Sequence, residues 1–325
     1  MTRTRQPRQT LRLAPLFADL CAVEAPDRDA DGRVPEPLAL RARMDAAMTA
    51  DFAASAPAPD VARRDAVVFA DDGAPVPVRW YTDTRTSRTC GPGPAVVYFH
   101  GGGLIGGSVE VFDHYVAQYV QWSGVPFLSV DYRLAPEASG ETPARDGLAA
   151  LRWLHEDAVD LGVDPRRIAV MGDSAGGGIA AAVAVLARDA GVRLSHQVLV
   201  FPMLDDRTTT ADPHLLGSTT WTHLDNLAGW RALLGDRAGG PAVSAVEAPG
   251  RLQDAHGLAP AYLEVGSLDI FRDECVAYAG KLWAAGVEAE LHVHPGAPHG
   301  YDGMALDSAF TRRWRADRVR VLRSL

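Results

Sequence analysis

Ser174 lies in Gly172-Asp173-Ser174-Ala175-Gly176, a G-x-S-x-G spacing whose small residues let a chain reverse sharply enough to expose a hydroxyl. Its context gives the spacing meaning. An apolar run from Ile168 to Met171 reads as a buried strand before the turn, and an Ala-rich stretch from Gly178 to Arg188 reads as a helix after it. Gly172 and Gly176 would let strand and helix pack closely. The helix N-terminus would offer free N–H groups and a positive dipole end to a developing negative charge. A serine hydroxyl is a poor nucleophile until a base takes its proton, and that base needs an acid to orient it.

For a serine on such a turn, the partners follow in the order serine, acid, histidine. His292, His294 and His299 lie far enough downstream. In the expected strand Val287–Val293, a period of two puts Val287, Ala289, Leu291 and Val293 on one face. Glu288, Glu290 and His292 take the other, with His294 following them, so these two histidines read as a solvated strand face. His299 sits instead in the loop Pro295-Gly296-Ala297-Pro298-His299-Gly300, beyond the carboxyl end of the last strand, where open α/β sheets gather their functional groups. It is the candidate base. Asp269 comes just past strand Ala261–Val265 and is the candidate acid. Asp273 and Glu274 suit the first turn of the next helix, where acidic side chains favour the dipole.

His100-Gly101-Gly102-Gly103 follows another apolar strand, Ala95–Phe99. Glycines without Cβ atoms let backbone N–H groups approach a substrate closely. Gly102 and Gly103, with Gly101 as a third candidate, would donate to an oxyanion alongside Ala175, while His100 braces the loop. A rival reading takes Gly101, Gly103 and Gly106 as G-x-G-x-x-G after a strand, with Asp131 as the ribose-binding acid of a dinucleotide site. It would make the serine turn, Asp269 and His299 coincidental. A metal site from His292, His294 and His299 is weaker still, because no acidic or cysteine ligand recurs nearby at useful spacing.

The chain has 325 residues, 47% hydrophobic and 22% charged, enough for one large α/β domain or a domain with an insertion. Its formal charge of -9 and isoelectric point near 5.5 argue against a nucleic-acid partner. Lys281 is the only lysine, a coding bias without functional content. Three scattered cysteines, Cys21, Cys90 and Cys275, make neither a disulfide framework nor a zinc spacing and suit a reducing compartment. The basic start, Met1 to Arg12, is followed by an apolar part broken by Arg12, Pro15 and Asp19. A signal peptide, a membrane span and a stable membrane anchor are therefore not expected, and the expected location is the cytoplasm.

Along the chain, residues 1 to about 60 carry two helical segments, Leu11–Val23 and Pro37–Phe52. In the second, Leu38, Leu40, Met44, Ala47 and Met48 form one apolar face. Strands Ala66–Phe69 and Pro75–Tyr81 flank a hairpin at Asp71-Asp72-Gly73. Strands Ala95–Phe99, Val125–Val130, Ile168–Met171, Gln197–Met203, Ala261–Val265 and Val287–Val293 alternate with helices over Gly147–Val159, Gly178–Arg188, Glu274–Ala285 and from Asp307. That rhythm argues a mostly parallel sheet covered on both faces. Residues from Asp205 to about 250 interrupt it with Trp221, Trp230 and several leucines, and read as an inserted helical lid.

His100-Gly101-Gly102-Gly103, the run Asp131 to Glu137, Gly172 to Gly177, Leu268 to Glu274 and Pro298-His299-Gly300 together resemble the bacterial hormone-sensitive-lipase-like (family IV) esterases of the α/β-hydrolase superfamily. The resemblance runs from about Pro94 to the C-terminus. It implies an α/β-hydrolase fold with a central sheet of about eight strands. A helical cap would come from residues 1–60 and the insertion at about 205–250, on a catalytic domain of 61–325. It also implies hydrolysis of short-chain carboxylesters on Ser174 without a cofactor. The partner would be a small-molecule ester, and a homodimer is left open. Trp221 and Trp230 are then candidates for the substrate pocket. Deacetylation of, or acyl transfer to, a specialised metabolite would use the same residues. Plant receptors of this fold bind a small acid without hydrolysis, but lack the catalytic histidine that is present here as His299.

Overall fold

Eight strands form one sheet in the order β1-β2-β4-β3-β5-β6-β7-β8, in a computed structural model that describes residues 14–15, 32–53, 57–85, 91–215, 219–305 and 308–325. β1 (Val61–Phe69) and β2 (Pro75–Asp83) make the expected hairpin over Asp71-Asp72-Gly73, where Gly73 takes a φ of 80°. β2 pairs antiparallel with β4 (Phe127–Val130), and every later pairing is parallel. These are β3 (Gly93–Phe99), β5 (Val163–Asp173), β6 (Gln197–Val200), β7 (Ala261–Gly266) and β8 (Ala289–His294). Residues 95–99 of β3 and 168–173 of β5 are fully buried, as unbroken apolar central strands require.

The helices among the described residues are α1 (Pro37–Ala53), α2 (Asp113–Ser123), α3 (Thr142–Glu156), α4 (Ala158–Leu161), α5 (Ala175–Asp189), α6 (His223–Leu234), α7 (Arg272–Ala284), α8 (Tyr301–Met304) and α9 (Ala309–Ser324). α1 starts where Glu36 accepts the N–H groups of Leu38 and Ala39 and Pro37 supplies a preset φ. α6 starts in a capping box, Thr222 with Asp225. No helix among the described residues is long and apolar enough to cross a membrane.

The structure corrects several expectations. α2 has no counterpart in the sequence reading, because its buried face mixes Tyr115, Gln118 and Tyr119 with valines. Among the described residues between Asp205 and Arg251, α6 and two short 3-10 turns stand among irregular backbone. Leu38 is 46% exposed and leaves the apolar face of α1. The face assignment of β8 is inverted at its end, for His294 is buried and Val293 exposed. His294 stacks on Trp314 of α9, which covers that side of the sheet. Most of the expected Leu11–Val23 helix lies outside the described residues.

Candidate active site

Strand β5 ends at Asp173 and α5 begins at Ala175, so the whole reversal falls on Ser174, whose φ of 56° and ψ of -119° are sparsely populated for a non-glycine residue. Backbone bonds hold it there. The Ser174 N–H donates to Val200, and its carbonyl accepts from Met203 and Gly178. The two glycines flanking the serine are steric necessities. A Cβ on Gly172 would lie 2.2 Å from the Gly176 carbonyl oxygen, and one on Gly176 would lie 2.0 Å from that of Phe99.

His299 and Asp269 reach the serine from two other strand ends. His299 lies in the loop between β8 and α8, and Asp269 lies between β7 and α7. His299 Nδ1 is 2.7 Å from Asp269 Oδ2, and His299 Nε2 is 2.9 Å from Ser174 Oγ. A carboxylate only accepts, so Nδ1 carries the hydrogen and Nε2 accepts from the serine. Asp269 is 1% exposed, and its other oxygen accepts the Phe271 N–H. Phe201 and Phe271 set their rings edge-on to the imidazole at 4.9 and 5.0 Å, and Thr220 donates to the His299 carbonyl. Asp273 is turned outward onto Arg272, and Glu274 is buried against the Leu204 N–H. Neither approaches the histidine's hydrogen bonds.

Gly101, Gly102 and Gly103 line the same cavity as Ser174 and His299, about 230 Å³ in volume. A Cβ on Gly101 would stand 3.6 Å from the Ser174 Cβ, and one on Gly103 would strike the Trp221 ring at 2.4 Å. Ala175 is the first residue of α5, where an N–H has no partner inside the helix. His100 is fully buried and does not line this cavity. Its Nδ1 meets the Gly101 carbonyl at 2.8 Å, its ring stacks on Tyr132 at 4.3 Å, and burial lowers its pKa. The Tyr132 hydroxyl donates to the His100 carbonyl, and Asp131 accepts the Val109 N–H. Asp131, which would hold a ribose in the dinucleotide reading, is thus engaged with the loop backbone.

The cavity wall is mostly apolar. Met44, Met48 and Phe52 of α1 face Phe112, Phe201 and Trp221. Trp230 is not part of it. It is 1% exposed and lines a separate small cavity with Gly178 and Met203.

A buried polar group beside the serine, whose Asp173 and Asp302 line the same cavity, is not legible as a group in the sequence. Asp173 accepts from Tyr98, and burial, with Asp302 adding to it, pushes its carboxyl up to about 7. Arg318 donates to both Asp302 and Glu264, and Tyr301 also donates to Glu264. Burial alone would raise Glu264, but the Arg318 guanidinium beside it holds the carboxylate well below its usual range. Nothing in sequence separates Arg318 from the other arginines of α9. Asp302, three residues past the candidate base, was the legible clue.

Comparison with known proteins agrees with this architecture. A family model described as alpha/beta hydrolase fold matches residues 96–303. The chain is 38% identical over 239 residues to carboxylesterase NlhH of Mycobacterium tuberculosis, covering 71% of this chain and 72% of that protein. It is 34% identical over 241 residues to ethyl acetate hydrolase of Pseudomonas putida, at 71% and 72% coverage. Among solved structures, one titled bacterial heroin esterase superposes with a TM-score of 0.85 at 36% identity, covering 96% of this chain and 97% of that one. The fold, a matched family model and esterase relatives of this similarity carry one conclusion: the chain belongs to the α/β-hydrolase family, in its hormone-sensitive-lipase-like (family IV) branch, and is a carboxylic ester hydrolase.

Proposed function

We propose that this chain hydrolyses short-chain acyl esters through an acyl-enzyme on Ser174, with His299 as base and Asp269 as orienting acid. The observation that carries the reading is the continuous chain of bonds from Asp269 through His299 to Ser174, at 2.7 and 2.9 Å, opening into an apolar cavity. His299 takes the serine proton as Oγ attacks the ester carbonyl. The resulting oxyanion receives the N–H groups of Gly102, Gly103 and Ala175, with Gly101 alongside. His299 then returns the proton to the departing alcohol, leaving the acyl group on Ser174. A water, deprotonated by the same imidazole, attacks the acyl-enzyme, and its collapse frees the acid and restores the serine. Asp269 keeps Nδ1 protonated and stabilises the imidazolium. These groups supply nucleophile, proton carrier and anion donors, so the cycle needs no cofactor.

The modest cavity and its apolar lining favour a short acyl chain, and the match to a protein named ethyl acetate hydrolase supports the same class. Residues 1–60 and about 205–250 act as one cap over a catalytic domain of 61–325. Within that cap Arg43 of α1 pairs with Asp225 of α6 at 3.6 Å. A serine-directed organophosphate should add a single covalent mass, on the peptide that contains Ser174. Undiminished labelling of Ser174→Ala would overturn the assignment.

A further inference from the structure

Helix α1 covers the cavity, yet two of its side chains on one face reach past it to the far side of the glycine loop. Asp45 accepts the Gly107 N–H at 2.7 Å. Arg41, one turn earlier, donates through Nε to the Ile105 carbonyl and at 2.7 Å through Nη2 to that of Ala135. It also forks onto Glu137. The segment from Ile105 to Gly107 is therefore fastened from outside by the cap helix.

The same segment fastens Gly102 from within. The N–H groups of Ile105 and Gly106 both donate to the Gly102 carbonyl, at 3.1 and 2.8 Å. The Gly106 carbonyl oxygen presses so closely that a Cβ on Gly102 would lie 2.1 Å from it. A trans peptide is planar, with its C=O and N–H pointing opposite ways. Fixing the Gly102 carbonyl outward thus aims the Gly103 N–H in the opposite direction. Trp221 and Gly229, on the insertion, close the other side of Gly103.

We infer that Arg41 and Asp45 are positioning residues that set the direction of the Gly103 N–H, so that oxyanion stabilisation depends on the cap helix as well as the sheet. The inference rests on the acyl-enzyme reading above. Arg41 and Asp45 do not line the cavity, and they reach Gly103 through the peptide units of residues 102–107.

The test compares full-length wild type with Arg41→Ala and Asp45→Ala on an oxoester and on the matching thionoester, with melting temperatures alongside. A thiocarbonyl sulfur is a poor hydrogen-bond acceptor, so the ratio of the two kcat values reports the N–H donors rather than general integrity. Losing a donor outright costs about 10²–10³ in kcat, so misdirecting one should cost about 10-fold to 10²-fold on the oxoester. KM and melting temperature should stay near wild type, and the oxoester-to-thionoester ratio should fall with kcat. Asp45→Asn, which keeps an acceptor for the Gly107 N–H, should restore both. Should an alanine variant fail to fold, Arg41→Lys carries the test. It keeps the charge facing Glu137 but cannot span two carbonyls as the guanidinium does, so its ratio should fall partway. A wild-type ratio in folded variants overturns the inference. A wild type without ester hydrolysis or Ser174 labelling would instead overturn the reading on which it rests.

Discussion

Tyr115 donates its hydroxyl to Asp302 at 2.8 Å and stands 3.5 Å from Asp173 Oδ1, so the residue before Ser174 and a residue just after His299 meet at one phenol. Arg318 extends the group to Glu264 in β7, the strand that leads to Asp269. The end of β5, strand β7 and helix α8, next in sequence to Ser174, Asp269 and His299, are thereby cross-linked by buried polar bonds. Local sequence order links none of them.

The first prediction concerns the acid. Asp269→Asn should lower turnover by roughly 10⁴, because the amide favours the wrong imidazole tautomer and cannot stabilise the imidazolium. Asp273→Asn, at a side chain 81% exposed, should stay within a few-fold of wild type. Steady-state kinetics on one ester separates the two. The reverse ranking would name Asp273 as the orienting acid.

Asp173 should make stability depend on pH. Its carboxyl titrates near 7 in the folded protein, above its ordinary value of 3.8. Between those values the folded state holds a proton that the unfolded state has released. Its contribution is therefore complete below about 4 and fades as pH rises through about 7. Urea unfolding of wild type and Asp173→Asn should show the difference shifting in favour of the asparagine variant across that window. Asparagine can still accept from Tyr98 and does not titrate. A pH-independent difference would mean that Asp173 does not titrate there.

Removing Arg318 should be costly. Its side chain is 1% exposed and faces Glu264 and Asp302, so Arg318→Leu leaves two buried carboxylates uncompensated, a loss of about 3–5 kcal/mol. Arg320, two residues on and 53% exposed beside Glu290, should lose less than about 1 kcal/mol as Arg320→Ala. Chemical denaturation of both variants measures the contrast.

Acyl-chain preference should follow the cavity wall. Each further methylene that the wall can bury is worth about 0.8 kcal/mol, a few-fold in kcat/KM. Trp221→Ala should extend the tolerated chain, and Met48→Trp should shorten it. Rates across a homologous series of acyl esters give the cutoff for each. Cutoffs that do not move would take both side chains out of the acyl pocket.

Residue order is enough for the parts that follow from local chain geometry. Gly172-Asp173-Ser174-Ala175-Gly176 between an apolar run and an Ala-rich stretch leaves room for little besides a strand–turn–helix reversal. The parallel sheet followed from unbroken apolar strands separated by helices. His299 was separable from His292 and His294 because a loop past a strand end and a strand face differ in spacing. Relations between distant segments are not encoded in spacing and emerge only in the folded chain. His294 reads as solvated from its spacing, but Trp314 of α9 stacks on it and covers its side of β8. Trp221 and Trp230 carry the same signal in composition, and only packing puts Trp221 in this cavity wall and Trp230 in a separate one. The sequence assigns the N-terminal segment, residues 1–60, to a cap apart from the catalytic domain of 61–325. Arg41 and Asp45 tie that segment to the glycine loop across more than sixty residues. Nothing in residue order joins Arg41 and Asp45 to the carbonyl of Ile105 and the N–H of Gly107, and only the folded chain brings them together.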